Sequence, residues 1–269
     1  MKTPTGYSHI PFSRFCAVAL IGAAAGILAG MFGVGGGMVI VPALTAVMGM
    51  TQRRAAATSL AAIIVTSAAG ALSYGLAGEV CLPAMLCVSC GAICGTQIGT
   101  WLLRILPERI LPWIFCAFAC CIIVAEQFHV SVRESRIEIS FVSVLLMIGI
   151  GIVSGTFAGL VGVGGGGIIV PGLELLAGAG DLLARGTSLL VMIPTSLSGT
   201  AANIRHRVAD LRTGLVIGVT ATLTTPCGVK TAQWITPRTG SYLFSLFLIA
   251  MIVSTLLKGK RKAGKNSRH

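Results

Sequence analysis

Long apolar stretches with almost no charge dominate this sequence and restrict what it can fold into. They cover residues 14–33, 37–50, 55–76, 81–103, 110–128, 139–161, 167–179, 186–203, 212–231 and 239–257. Only 10% of the residues are charged, whereas a soluble domain carries roughly 25%. Backbone amides in lipid must be satisfied within the chain, which leaves helices or closed barrels, and these stretches do not alternate as barrel strands do. The sequence therefore predicts an all-α polytopic membrane protein.

The chain also contains an internal duplication. Residues 26–42 (GILAGMFGVGGGMVIVP) and residues 155–171 (GTFAGLVGVGGGGIIVP) are identical at eleven of seventeen positions, at an offset of 129 residues. Two transmembrane repeats are therefore predicted, at residues 10–130 and 137–258, followed by a basic cytoplasmic tail at residues 259–269. Duplicated halves are the organisation of many secondary transporters.

The distribution of Lys and Arg predicts how the repeats are oriented, because these residues favour the cytoplasmic side of a membrane. If each repeat forms a re-entrant hairpin and three crossings, nine basic residues outside the tail lie on the side of the tail and five on the other side. If each repeat crosses four times, the division is seven to seven. The first arrangement is favoured. It gives inverted halves in the cell (inner) membrane with both termini in the cytoplasm, and parallel halves are the alternative.

Two glycine clusters predict a broken or re-entrant helix in each repeat. Their glycines are Gly33, Gly35, Gly36 and Gly37 in the first repeat, and Gly162, Gly164, Gly165 and Gly166 in the second. Glycine adopts backbone dihedrals that other residues avoid, and Pro42 and Pro171 follow closely, each without a donor N–H. The freed amides and the start of the next helix would form an electropositive site for an anion. The alternative is that the glycines only let helices approach closely.

Hydroxyl side chains recur at the same offset and are candidate donors to the same anion. They are Thr58, Ser59, Thr66 and Ser67 in the first repeat, and Thr187, Ser188, Thr195 and Ser196 in the second. Hydroxyls donate to sulfonate, sulfite or carboxylate oxygens. The alternative is that they bond carbonyls of their own helix or join helices together.

Glu174 is the candidate for proton coupling, because it lies within a short apolar stretch and intramembrane carboxylates often relay protons. It has no acidic counterpart, since the offset pairs it with Thr45. A position at the membrane interface is the alternative.

The sequence offers no support for an enzyme, a cofactor or a metal site. Gly162-x-Gly164-x-x-Gly167 matches the dinucleotide fingerprint by letter, but a membrane segment is not the strand–helix context that this fingerprint needs. Cys87-x-x-Cys90 has no His or carboxylate nearby, so metal binding is not expected. The basic tail lacks the interleaved aromatic residues that stack on bases, which favours anionic lipid over nucleic acid as its partner.

The repeated glycine motifs resemble a known family. GILAGMFGVGGGMVIVPAL and GTFAGLVGVGGGGIIVPGL, each followed by Thr-Ser-Leu, together with GAICGTQIGTWLLRILPERIL, resemble the TauE/SafE sulfite exporter family of membrane transporters. The resemblance implies a cell-membrane permease for sulfite, sulfoacetate or related sulfur-containing or organic anions. Thr224 and Pro226 stand where Gly95 and Gln97 stand in the first repeat, and this departure leaves the substrate open.

The prediction is thus a secondary transporter for a small anion, in which one half rocks against the other around the glycine breaks. An accessory or sensory membrane protein that binds an anion, and a passive anion channel, are the alternatives. The lipid bilayer and a small anion are the expected partners, and homodimer formation is left open.

Overall fold

The computed structural model describes residues 12–127, 137, 140–206 and 208–266. The regular structure of these residues is helical throughout, as predicted. The helices are α1 (Phe12–Phe32), α2 (Gly37–Val47), α3 (Gln52–Leu76), α4 (Leu82–Ile105), α5 (Leu111–Gln127), α6 (Phe141–Val161), α7 (Gly166–Ala177), α8 (Asp181–Arg205), α9 (Leu211–Trp234) and α10 (Pro237–Asn266). Helix α10 continues through most of the predicted basic tail.

A boundary difference that matters for the site concerns α8. The apolar stretch was predicted to begin at residue 186, but the helix begins at Asp181. A carboxylate in the first turn of a helix interacts favourably with the helix dipole, so charge at this point does not interrupt the helix. The difference places Arg185 within α8 instead of in the preceding loop.

A glycine break separates two helices in each repeat. In the first break, residues 33–36 lie between α1 and α2, and in the second break, residues 162–165 lie between α6 and α7. The φ angles are 70°, 66° and 77° at Gly33, Gly35 and Gly36, and 78°, 80° and 86° at their counterparts in the second break. Only glycine adopts such angles readily, which explains why the helix stops where the glycines cluster.

Helices from different repeats pack together through glycines. Helix α1 runs parallel to α9, and α4 runs parallel to α6, because successive contacts advance in the same direction along both partners. The close pairs are Gly22–Thr220, Gly26–Ala221 and Gly30–Thr225 in the first interface, and Gly91–Ile148, Gly95–Ile152 and Gly99–Thr156 in the second. A Cβ atom at Gly95 would lie 2.1 Å from the carbonyl oxygen of Ile152, so these backbones approach more closely than any side chain allows.

The centre of the molecule is the pair α3 and α8, which are equivalent helices of the two repeats. Leu60 lies against Gly199, and Tyr74 lies against Gly186, so α3 and α8 run antiparallel. The two ends of this pair are named here from α8: the Arg185 end, where α3 finishes, and the Arg205 end, where α3 begins.

The described helices suit a membrane. Four of them are long and apolar enough to cross it: Gln52–Leu76, Leu82–Ile105, Phe141–Val161 and Pro237–Thr255. Large apolar side chains are also exposed around the molecule, including Leu76 at 83%, Phe141 at 84% and Leu223 at 76% of their surface. A surface of this kind is favourable in lipid and costly in water.

Candidate functional site

The two glycine breaks contact each other in the interior. A Cβ atom at Gly37 would lie 2.7 Å from the carbonyl oxygen of Gly162, and a Cβ atom at Gly166 would lie 2.6 Å from that of Gly33. The two contacts are related by the 129-residue offset. The breaks therefore form one central cluster instead of two separate sites.

One serine from each repeat supports the opposite break. The Ser59 hydroxyl donates to the carbonyl oxygen of Gly162 at 2.5 Å, and the Ser188 hydroxyl donates to that of Gly33 at 3.0 Å. Both serines are fully buried. They satisfy carbonyl groups that the interrupted helices leave without a helical partner.

The helices that follow the breaks begin without a capping side chain. Gly36 precedes α2 and Gly165 precedes α7, and neither has a side chain that can accept from the first-turn amides. Residues 36–38 and 165–167 are buried, so the positive end of each helix dipole lies inside the protein. Such ends attract negative charge.

The space between the breaks is filled by two apolar side chains. A Cβ atom at Gly35 would lie 2.4 Å from the Cε of Met192, and one at Gly164 would lie 2.1 Å from the same atom. Ile63, the counterpart of Met192, contacts the same glycine positions, and both side chains are fully buried. A solute can enter between the breaks only if these side chains move, and methionine is flexible enough to do so.

The other hydroxyls that the sequence singled out have different partners. Thr66, Thr195 and Ser67 donate to carbonyl oxygens of their own helices, those of Ala62, Val191 and Ile63. Of the eight predicted hydroxyls, the structure brings Ser59 and Ser188 to the breaks.

The remaining predicted positions lie along the same helices. Thr58 accepts from the backbone N–H of Asp210, and Thr187 accepts from that of Cys81, both at 3.0 Å. Ser196 is fully buried and has no hydrogen-bond partner among the described residues. The two prolines, Pro42 and Pro171, lie within α2 and α7 one turn or more after the breaks.

A charged cluster lies beside the second break at the Arg185 end. Glu174 and Arg185, each 7% exposed, line a cavity with room for about one water molecule, together with Gly166 and Gly167 at the start of α7. The Arg185 Nη1 donates to the carbonyl oxygen of Met31 at 2.8 Å. The structure thus places Glu174 and the buried side chain of Arg185 on the wall of one cavity.

Asp181 completes this cluster. Its Oδ2 lies 3.6 Å from the Arg185 Nη2, and it is 1% exposed. Sequence reasoning missed both residues because they lie before the apolar stretch that it assigned to α8. A helix start marked by an acidic residue four positions before the arginine would have indicated the pair.

A more open cavity of about 280 Å³ lies at the Arg205 end. Its lining mixes polar, basic and apolar residues: Gln97, Arg104, Ser198, Ala201, Ala202, Arg205 and His206. Gln97 Nε2 donates to Ser198 Oγ at 2.7 Å, and Arg104 contacts His206. Arg104 and Arg205 thus give this opening a positive charge.

Metal ligands do not gather in the described part of the chain. Within it, no three His, Cys, Asp or Glu side chains lie close enough together to hold a metal ion. All nine cysteines are free thiols.

Comparison with known proteins places these features in a family context. The profile of the family described as "Sulfite exporter TauE/SafE" matches residues 4–125 and 147–269. A "Probable membrane transporter protein" of Haemophilus influenzae is 29% identical over 267 residues, covering 89% of this chain and 97% of that protein. The "Probable membrane transporter protein YunE" of Bacillus subtilis is 32% identical over 127 residues, covering 45% of this chain and 46% of that protein.

YdhB of the same organism, also named a probable membrane transporter protein, is 28% identical over 210 residues, covering 76% of this chain and 82% of that protein. No solved structure matches the chain.

Proposed function

This chain belongs to the sulfite exporter TauE/SafE family, and from that premise we propose that it is a secondary permease for a small anion in the cell (inner) membrane. Sulfite, an organosulfonate or a related sulfur-containing or organic anion is the proposed substrate class. The central observation is that two glycine breaks meet in the interior, each followed by a buried helix start that no side chain caps. Such a site attracts a negative charge without a fixed cation.

The binding site consists of the amides of the two breaks together with the hydroxyls that adjoin them. Ser59 and Ser188 already contact the breaks, and movement of Met192 and Ile63 would make room for the anion. Because the centre is filled by Met192, an open channel is a less suitable reading than a carrier. The packing at the centre does not distinguish a carrier from a sensory protein that binds an anion without moving it. Flux measurements distinguish the two.

The two halves are inverted in this proposal, with both termini in the cytoplasm. The antiparallel packing of the equivalent helices α3 and α8 supports that arrangement. Alternating access then exposes one central site to either side in turn.

The moving units differ from those that the sequence suggested. The closest backbone contacts join α1 to α9 and α4 to α6, which belong to different repeats. One repeat therefore cannot rock as a body against the other without separating these interfaces. The units are instead the group α1, α3 and α9 and the group α4, α6 and α8, which meet at the α3–α8 pair.

Glu174 couples transport to protons in this proposal. With both carboxylates ionised, the cluster of Arg185, Asp181 and Glu174 has a net negative charge and repels an anion. A proton on Glu174 makes the cluster neutral, so that the anion and the proton are carried together. Replacing Glu174 with Gln is expected to leave anion exchange intact and to remove the dependence of flux on a pH gradient.

A flux assay in proteoliposomes tests the proposal. Purified protein is expected to give saturable flux of at least one of sulfite, sulfoacetate, sulfate and thiosulfate, with dependence on a proton gradient. Dependence on a sodium gradient alone would keep the carrier and contradict the role of Glu174. Saturation without any gradient dependence would indicate a uniporter, a linear concentration dependence would indicate a channel, and binding without flux would indicate a sensory role.

A glycine substitution tests whether the flux depends on the proposed site. Gly164→Ala is expected to reduce flux at least tenfold, because the residue has a φ of 80° and its Cβ would meet Met192. Gly149→Ala is the matched control, since nothing lies within 4 Å of a Cβ at this helical position. Both variants are scored for membrane insertion, and equal flux in the two would contradict the proposed site.

A further inference from the structure

Three polar side chains on one face of α8 are buried without partners. Ser196, Thr200 and Asn203 are 0%, 5% and 1% exposed. Their spacing of four and three residues places them on one side of the helix. The two hydroxyls, and both polar atoms of the Asn203 amide, have no hydrogen-bond partner within the described ranges. These three residues are called the polar ladder.

The equivalent face of α3 shows that this arrangement is not imposed by the fold. There the offset places Ser67, Ala71 and Tyr74. Ser67 donates to the carbonyl oxygen of Ile63, and Tyr74 donates to that of Gly30 at 2.8 Å. The first repeat therefore satisfies its polar groups on this face, whereas the second leaves three groups in a row unsatisfied at a cost in stability.

The polar ladder connects the centre to the Arg205 end. Ser196 lies one helical turn after Met192, and Asn203 lies near the last turn of α8. At a rise of 1.5 Å per residue the ladder is roughly 10 Å long. Gly199, on the same side, lies against Leu60 of α3 and Thr96 of α4. The ladder therefore lies where the two proposed moving groups meet.

We propose that the polar ladder is the route by which the anion passes between the central site and the Arg205 end. This inference rests on the proposed function. Hydroxyl and amide groups donate to oxyanions, and neighbouring rungs are separated by roughly 5–6 Å, so an oxyanion can contact the next rung before it leaves the last. The ladder is uncharged, so the anion is bound weakly enough to move on. The open cavity at this end is lined by Ser198, Ala201 and Arg205 on the opposite face of α8, so it is not part of the route.

Removal of the rungs tests the route. Thr200→Val and Asn203→Leu are each expected to lower flux at least tenfold and to leave thermal stability unchanged or raised, because each replaces an unsatisfied polar group with an apolar one. If the ladder is purely structural, these variants are expected to have lower thermal stability and normal flux per inserted molecule.

Thr225→Val is the matched control. Thr225 is fully buried, and its hydroxyl donates to the carbonyl oxygen of Ala221 at 2.8 Å within its own helix. Flux of this variant is expected to remain within twofold of the wild type, even though the substitution removes a hydrogen bond.

Thiol labelling gives a second measurement that does not depend on flux. In a background without the nine natural cysteines, Thr200→Cys is expected to react with a small water-soluble methanethiosulfonate added at the Arg205 end. Added sulfoacetate is expected to slow the reaction at least threefold, because a bound anion covers the thiol.

The outcomes separate the route from the function. If the wild type moves none of the four anions, the proposed function fails and the route fails with it. If the wild type moves one of them and both ladder variants move it equally fast, the route alone is wrong. If the variants lose flux and stability together and the thiol at position 200 does not react, the ladder is structural and the route is also wrong.

Discussion

The two ends of the α3–α8 pair contain equivalent backbone positions with different side chains. At the Arg185 end, Tyr74 donates to the carbonyl oxygen of Gly30, and Arg185 donates to that of Met31. At the Arg205 end, the same offset places Asn203 and Ala56. One end is closed by large side chains with partners, and the other combines a small side chain with an unsatisfied amide. Duplication has thus preserved the glycine breaks while the two ends have specialised.

The largest expected effect comes from removing the charge that closes the Arg185 end. Arg185→Ala leaves the carboxylate of Asp181 buried without its cation, and we expect a loss of about 3–5 kcal/mol in stability together with loss of flux. Thermal unfolding in detergent and proteoliposome flux measure the two effects. Arg238→Ala, an exposed arginine at the start of α10, is the control and is expected to change neither.

A double variant separates the effect of the Arg185–Asp181 ion pair on stability from its effect on flux. Arg185→Ala combined with Asp181→Ala is expected to recover part of the lost stability, because the carboxylate of Asp181 is then no longer buried without its cation, and to recover no flux. Recovery of both would show that the ion pair is only structural.

The next largest effect is expected at the centre. Met192→Ala and Ile63→Ala each remove a fully buried side chain, which costs about 2–5 kcal/mol. Met192 Cε approaches the Cβ positions of Gly35 and Gly164 more closely than Ile63 does. The ratio of sulfoacetate flux to sulfite flux is therefore expected to rise more in Met192→Ala. Equal ratios in the two variants would mean that the centre is symmetric in function.

A smaller and equal effect is expected for the serines that support the breaks. Ser59→Ala and Ser188→Ala each leave one buried carbonyl without its donor, which costs about 2 kcal/mol. The two unfolding midpoints are expected to fall by similar amounts. A clear difference between them would show that specialisation reaches the central cluster itself.

The smallest expected effect is at Tyr74. Tyr74→Phe removes the hydrogen bond to Gly30 and is expected to cost about 1 kcal/mol, measured as a lower unfolding midpoint with near-normal flux. The contrast with Asn203→Leu, which is expected to raise the midpoint, compares the two ends directly. If the unfolding midpoint rises in both Tyr74→Phe and Asn203→Leu, Tyr74 does not help to close the Arg185 end.

Sequence patterns predicted the parts of this structure that depend on local chemistry. Apolar stretches predicted the helices, because lipid leaves the backbone no other solution over such lengths. The glycine clusters predicted both breaks, because positive φ angles favour glycine wherever they occur. The roles of the predicted site residues stay predictions, although the structure does bring Ser59 and Ser188 to the breaks.

Sequence patterns could not predict contacts that depend on how distant helices pack together. That Met192 lies between Gly35 and Gly164 follows from the antiparallel α3–α8 pair, which no local pattern specifies. Arg185 was missed for a different reason, since hydropathy ends a segment at a charge whereas a helix does not. The difference between the unsatisfied amide of Asn203 and the hydrogen-bonded hydroxyl of its counterpart Tyr74 is found only by comparing the two helices in the structure.

The glycine interfaces between α1 and α9 and between α4 and α6 bear on how the protein is made. Each interface joins a segment of the first repeat to one of the second repeat, and α9 is synthesised much later than α1. The first repeat therefore leaves the insertion machinery with its glycine faces still uncovered. We expect it to stay near that machinery, or to be recognised by quality-control proteases, until its sister segments arrive. A gene split between the repeats should then give stable protein only when both fragments are expressed together.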